Sequence, residues 1–199
     1  LGPAGNALSR VIFYDDGGMN FAARAALCAR WAGFTNAQIL DGGLSAWARC
    51  GLPLDEGAPV AADHPAVERV NDFLRQTIAG AVPQMLGKAA IFNAVKQDDR
   101  LVIDGRPRER FAGRTETLAA RPGHVPGAVN RPATEKLDAD GSLKSREALR
   151  REWGAVIGRR DPRSIVQMCG SGVASCLNAS ALDTSDILPI TKAILYPNS

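Results

Sequence analysis

The stretch SIVQMCGSGVASC, residues 164–176, ends an apolar, β-branched run on Cys169 and follows it with glycines at 170 and 172. Such a run reads as a buried strand. VASCLNASAL (173–182) has the small residues of a tightly packed helix, and AILY (193–196) reads as a further strand. Strand, glycine loop, helix and strand in that order specify parallel strands joined by a helical crossover. The same order recurs earlier. RVIFYDD (10–16) reads as a strand and NFAARAALCARWAGF (20–34) as a helix with Asn20 as cap and Gly33 at its end. AQIL, DGG and LSAWARCG then read as strand, turn and a short helix closed by Gly51. Sliding IFYDDGG onto VQMCGSG sets Asp15 on Cys169, and QILDGG falls, one residue off, on AILYPNS. Two copies of one unit explain both.

From LPLDEGAPVAADHPA (52–66) the pattern loosens into Pro, Ala, Asp and Gly. Helical spacing resumes in GKAAIFNAVKQDD (87–99). RLVIDGR (100–106) reads as a strand that delivers polar residues at its carboxyl end, and PGHVPGAVN as a rigid turn. SREALRREWGAVIG (145–158) reads as an amphipathic helix capped by Ser145 and stopped at Gly158. The expected architecture is α/β: two similar units, each a parallel sheet flanked by helices. It divides into a partial first unit over 1–57, a linker over 58–85 and a catalytic domain over 86–199. The first unit has no counterpart of LVIDGR…PGHVPGA before Val11, and the second stops at Ser199, so both ends read as clipped.

Bulk composition narrows the function. The 199 residues carry Lys+Arg 24 against Asp+Glu 21, with no basic run interleaved with aromatics, so nucleic acid is a poor partner. Apolar runs are too short for a membrane span, and the first residues lack a signal-peptide layout. Four cysteines without a CxxC pair and two scattered histidines suggest reduced thiols in a cytoplasmic setting, and neither a metal nor a cofactor is called for.

Cys169 lies in a loop whose glycines let backbone N–H groups point inward, with a helix N-terminus behind them. Such a nest stabilises a sulfur anion. Packing alone has little use for glycine at both 170 and 172.

These residues carry a resemblance. CGSGVAS (169–175) resembles the active-site loop of the rhodanese-like sulfurtransferases, in the mercaptopyruvate branch. VIDGR (102–106), ERFAG (109–113) and GHVPGAVN (123–130) match further motifs of that family, in its order. VIFYDDGG through ILDGGLSAW (11–47) is similar to the later half of the non-catalytic first domain of its tandem members. Ala174 and Ser175 depart from the family's Thr and Ala. The family's closing Ser-Trp-x-x-Trp and the opening half of its first domain have no match here.

The resemblance implies that Cys169 takes sulfane sulfur from a small anionic donor as a persulfide and passes it to a thiol, small or thioredoxin-like, or to cyanide. Arg110 would clamp the donor carboxylate, with Gly170, Ser171, Gly172, Val173 and Ala174 lining the donor site. Arg121 stands near the place of a second arginine. The uncharged loop suits mercaptopyruvate better than doubly charged thiosulfate. Asp104 and Arg106 read as a structural pair, His124 as ordering its turn, and Cys176, Cys28 and Cys50 as packing residues. Asp15 replaces the nucleophile in the first copy. Two alternatives stay open: a non-catalytic binding module, and a cysteine phosphatase, which needs an arginine where Ser175 stands. The pocket is expected at the carboxyl ends of the strands, facing the first unit.

Overall fold

The computed structural model describes residues 10–31, 34–57, 85–116 and 121–197. Residues 58–84 of the expected 58–85 linker and the helix stop at Gly33 lie outside them; Met85 bridges Leu195 in parallel and so belongs with the second unit's sheet. In the first unit, β1 (Val11–Phe13) leads into α1 (Asn20–Trp31), β2 (Ala37–Ile39) and α2 (Gly43–Arg49). β1 and β2 pair in parallel, with Val11 opposite Ala37 and Phe13 opposite Ile39. The second unit runs α3 (Lys88–Gln97), β3 (Leu101–Asp104), α4 (Arg108–Phe111), β4 (Val129–Asn130), α5 (Arg146–Ile157), β5 (Ile165–Cys169), α6 (Ala174–Thr184) and β6 (Ile194–Pro197). Its sheet is parallel throughout, in the order β4-β3-β5-β6. Both β1-α1-β2 and β5-α6-β6 are therefore the same crossover unit, and the fold is the α/β arrangement expected from the two copies.

β3 and β5 are buried along their whole length, as central parallel strands must be when helices cover both faces. Alternation sorts their side chains. Leu101, Ile103 and Ile165 pack with Leu149, Trp153 and Ile157 of α5 and with Ala181 and Leu182 of α6. Val102, Val166 and Met168 face the other way, onto Ile91 of α3 and onto Ile194 and Tyr196. Ser145 caps α5 by accepting from the Ala148 amide at 3.2 Å, and Gly158 ends it at φ 61°, a conformation that favours glycine. PGHVPGAVN is a turn as far as Ala128 but finishes as strand β4, because Val129 and Asn130 extend the sheet beyond β3.

The two units share a core. Met19, Ala23 and Leu27, at the entrance to α1 and along it, pack on Cys176, Leu177 and Ala179 of α6. The Arg30–Asp183 ion pair, 2.8 Å, ties the two helices farther along. Among the described residues no helix is long and apolar enough to cross a membrane.

Three expectations on the first unit need correction. Asn20 does not cap α1: it is the first helical residue, and its Oδ1 is buried without a hydrogen-bond partner among the described residues. Asp15 performs the capping instead, its carboxylate accepting from the amides of Phe21 and Ala22, each at 3.1 Å. Cys28 and Cys50 are not packing residues but exposed thiols. α1 buries the stripe of Ala22, Ala23, Ala26 and Leu27, and Cys28 falls beyond its edge. Cys50 lies just past the last turn of α2.

Lys136 is wholly buried, its ammonium 5.1 Å from the Trp153 ring centroid and without a hydrogen-bond partner among the described residues. Burial first, and the charge of Arg131 second, push it down from the ordinary 10.5 to about 8. Between those values the unfolded chain binds the extra proton, so stability rises with pH across that window and Lys136 is a burden at neutral pH. The shift corresponds to about 3 kcal/mol, against which the cation–π contact returns about 1–2 kcal/mol. Lys136→Met is expected to raise the unfolding free energy at pH 7 by about 1–2 kcal/mol, and urea titrations should show the gain fading toward pH 10.

Candidate active site

The site is built at the carboxyl ends of β3 and β5, the two most buried strands. β3 ends at Asp104, whose carboxylate is fully buried and takes four hydrogen bonds from Arg106: the backbone amide to Oδ1 at 2.9 Å, Nε to both oxygens at 3.1 and 3.0 Å, and Nη2 to Oδ2 at 2.7 Å. The side-chain bonds to Asp104, chiefly, hold the Arg106 guanidinium above its ordinary range against its burial, with the charges of Asp104 and Glu116 adding to them. Removing one partner of such a pair strands the other and costs about 3–5 kcal/mol. Asp104 and Arg106 are thus the structural pair their motif suggested, and Arg106 also positions the turn and helix that seat Arg110.

Arg106 Nη2 reaches on to the Gly123 carbonyl at 2.7 Å, drawing the GHVPG turn toward α4. Gly113 sits at φ 75°, and a side chain there would stand 3.1 Å from the Gly123 nitrogen, so this close approach requires glycine. His124 Nδ1 donates to the Phe111 carbonyl at 2.8 Å, and its ring stacks on Phe111 at 3.8 Å. His124 therefore does more than order its own turn: it fastens that turn to α4. The outcome is a fixed seat for Arg110. Its Nη2 donates to Glu116 Oε1 at 2.9 Å, and the other Glu116 oxygen accepts from Arg106 Nη1 at 3.2 Å. Arg110 Nε is buried with no hydrogen-bond partner among the described residues. Its guanidinium lies beside Gly170, where a methyl group would touch it at 3.6 and 3.7 Å.

β5 ends at Cys169, which is only 2% exposed. The chain turns through Gly170, Ser171, Gly172 and Val173 into α6. Gly172 adopts φ 79°, which a side chain would oppose, and its amide donates to Cys169 Sγ at 3.1 Å. Ser175 Oγ lies 3.6 Å from the same sulfur and donates to the Gly172 carbonyl at 3.0 Å. The Cys176 thiol donates to that carbonyl as well, at 3.0 Å. Burial pushes the Cys176 thiol up to about 12, so it stays protonated and serves packing and loop support. The Cys169 sulfur thus has one loop amide and one hydroxyl within reach, with the N-terminus of α6 behind them.

The expected donor-site residues fall into two groups. Cys169, Gly170, Gly172 and Arg110 come together, and Val173 and Ala174 form the half-buried entry to α6. Ser171 is exposed at the loop's tip, and Arg121 is exposed at the start of the 121–128 turn. Ser175 is fully buried and points inward, so no cation occupies the place where a phosphatase needs its arginine.

Two residues escape a reading of the sequence alone. Glu116 follows the RFAG motif and carries no pattern of its own; its role exists only once Arg106 and Arg110 are folded against it. Arg24 of α1 donates from Nη1 to the Ser171 carbonyl at 3.1 Å, across 147 positions of sequence. A charge set in an Ala-rich helix is its only signal.

In the first copy the equivalent loop closes on Asp15. Its carboxylate accepts the amides of Gly17 at 3.2 Å and of Met19, Phe21 and Ala22 at 3.1 Å. The superposition of Asp15 on Cys169, drawn from a few letters, holds in part: each side chain lies at the carboxyl end of its unit's strand and faces the loop beyond it, but Asp15 receives four amides and Cys169 one, that of Gly172.

Comparison with known proteins agrees with this geometry. The rhodanese-like domain model matches residues 4–50. The chain is 34% identical over 175 residues to the probable 3-mercaptopyruvate sulfurtransferase of Pseudomonas aeruginosa, covering 87% of this chain and 58% of that protein. It is 32% identical to the putative thiosulfate sulfurtransferase SseB of Mycobacterium tuberculosis, covering 86% and 57%. The crystal structure of SseA from Escherichia coli, described as a 3-mercaptopyruvate sulfotransferase of rhodanese fold, superimposes with a TM-score of 0.70 at 30% identity, over 96% of this chain and 66% of that one. The chain therefore spans less than two thirds of the length of these relatives.

Proposed function

The chain belongs to the rhodanese-like sulfurtransferases, in the branch of the 3-mercaptopyruvate enzymes, and from that premise we propose that it moves sulfane sulfur through a persulfide on Cys169. The observation that carries the proposal is the pairing of Cys169 Sγ, 3.1 Å from the Gly172 amide, with an arginine guanidinium against the same loop.

The Cys169 thiolate attacks the sulfur of 3-mercaptopyruvate. The carbon–sulfur bond breaks, its electron pair leaves as the enolate of pyruvate, and a proton converts that enolate to pyruvate. The persulfide stays on Cys169. An acceptor thiolate then attacks the outer sulfur, the sulfur–sulfur bond breaks, and the Cys169 thiolate returns. Cyanide as acceptor gives thiocyanate. The loop amide and the helix N-terminus favour negative charge on sulfur at each stage. Arg110 holds the donor carboxylate through the edge that Glu116 leaves open. The loop carries no charge of its own, which supports mercaptopyruvate over thiosulfate as donor. Free thiols at all four cysteines support a reducing, cytoplasmic setting.

Mass spectrometry of the Cys169 peptide after mercaptopyruvate treatment is expected to show the mass of one added sulfur, removed by cyanide. Steady-state rates should favour mercaptopyruvate over thiosulfate in kcat/KM. Arg110→Met should lower the mercaptopyruvate value about 10- to 30-fold, mainly through KM. An unmodified Cys169 peptide would leave a binding module of the same fold.

A further inference from the structure

We infer that Arg24, on the first unit, is a positioning residue for the Cys169 sulfur and acts through the Ser171–Gly172 peptide. The Ser171 carbonyl accepts from Arg24 Nη1 at 3.1 Å, and the Gly172 amide donates to Cys169 Sγ at 3.1 Å. That carbonyl and that N–H are the two ends of one planar peptide group. A guanidinium charge rests on its negative end, and the sulfur rests on its positive end. Hydrogen bonds in such a chain polarise one another, so the charge on Arg24 strengthens the bond that reaches the sulfur.

The contact also fixes orientation. Gly172 at φ 79° has the backbone freedom that makes rotation of the peptide before it easy. Turned over, that peptide would present its carbonyl oxygen to the sulfur and repel a thiolate. The next peptide is held from within the second unit, because Ser175 Oγ and Cys176 Sγ both donate to the Gly172 carbonyl. The Ser171 carbonyl is instead held from the first unit. Its anchor rides on α1, whose packing on α6 sets the distance. The first unit, which has a carboxylate in place of a nucleophile, thereby takes part in preparing the sulfur of the second.

The inference rests on the reading of Cys169 as the sulfur carrier, but its test needs no turnover. Alkylation of Cys169 by iodoacetamide is followed on its own peptide, at pH 7 and at about pH 10, where an ordinary thiol is ionised. The other charges facing the sulfur, Arg106 and Arg110, are untouched, and the neighbouring Cys176 thiol stays neutral at pH 7. Arg24→Met is expected to slow alkylation at pH 7 about 3- to 10-fold and to leave the high-pH rate within about twofold. Arg24→Lys, which keeps a charged donor, should recover most of the loss, and Arg24→Gln should recover little. Arg30→Met, which breaks the Arg30–Asp183 pair beside the same helix interface, should leave the ratio of the two rates unchanged. Equal ratios in Arg24→Met and the parent chain would overturn the inference. So would an equal loss at both pH values, or the same loss in Arg30→Met. A parent chain that shows the Arg24 effect but takes no sulfur from mercaptopyruvate would refute the donor and leave the role of Arg24 intact.

Discussion

Cys169→Ser is expected to reduce sulfur transfer to background, a loss of about 10³-fold or more. A hydroxyl at this position is neither ionised at neutral pH nor able to carry a sulfane sulfur. The variant should fold normally, since Oγ can accept the Gly172 amide as Sγ does, and far-UV circular dichroism should not distinguish the two proteins. The measurement is pyruvate release from mercaptopyruvate under single-turnover conditions, which reads the first half-reaction alone. Turnover surviving in the variant would move the nucleophile elsewhere. Cys176 is poorly placed for that, buried and held protonated with its thiol donated to the Gly172 carbonyl. Cys28, on the surface of α1, and Cys50, just past the end of α2, are accessible but stand outside the glycine loop that holds Cys169.

The second large effect belongs to the unit without a nucleophile. Asp15→Ala removes the acceptor of four amides at once, those of Gly17, Met19, Phe21 and Ala22. The bonds to Met19 and Ala22 are part-buried, so water replaces the carboxylate only in part. A lost helix cap alone costs about 1 kcal/mol, and a hydrogen bond to a charged acceptor is worth about 1.5–3 kcal/mol net, less at the exposed amides of Gly17 and Phe21. The expected destabilisation is about 2–4 kcal/mol, read as a fall in the urea midpoint at constant slope. Asp15→Asn keeps one acceptor oxygen and should lose about half as much. The effect should extend to Cys169, because the helix that Asp15 caps also carries Arg24. A variant of unchanged stability would mean that the loop holds its shape by other means.

The strands and helices are legible in the sequence because their patterns are local: β-branched runs ending in glycine, Ser145 before an amphipathic helix, Gly158 after it. The chemistry around Cys169 is legible because a strand, glycines and a helix start must meet there in any chain with this pattern. The rest depends on faces and distances. α1 is so rich in alanine that its buried side cannot be told from its letters, and the expectation that Cys28 packs fails for that reason. Asn20 has a capping side chain at the right place, yet a carboxylate five residues earlier reaches the same amides with full charge and displaces it. Glu116 carries no pattern of its own and acquires its partners only when two motifs converge. Arg24 meets Ser171 because two helices pack, a contact that no spacing announces. His124 reads as a local turn residue, whereas its partner is Phe111, thirteen positions back.

The carboxylate of Asp15 is tied by covalent bonds to the loop that receives it, so its effective molarity there far exceeds that of any dissolved anion. Phosphate, sulfite or a keto acid could not displace it at cellular levels. The early loop is thus blind to the metabolite pool, whereas its later twin, on the function proposed above, addresses a sulfur that is loaded and unloaded in each cycle. One loop is a fixture that holds a constant ion; the other leaves its anion to chemistry.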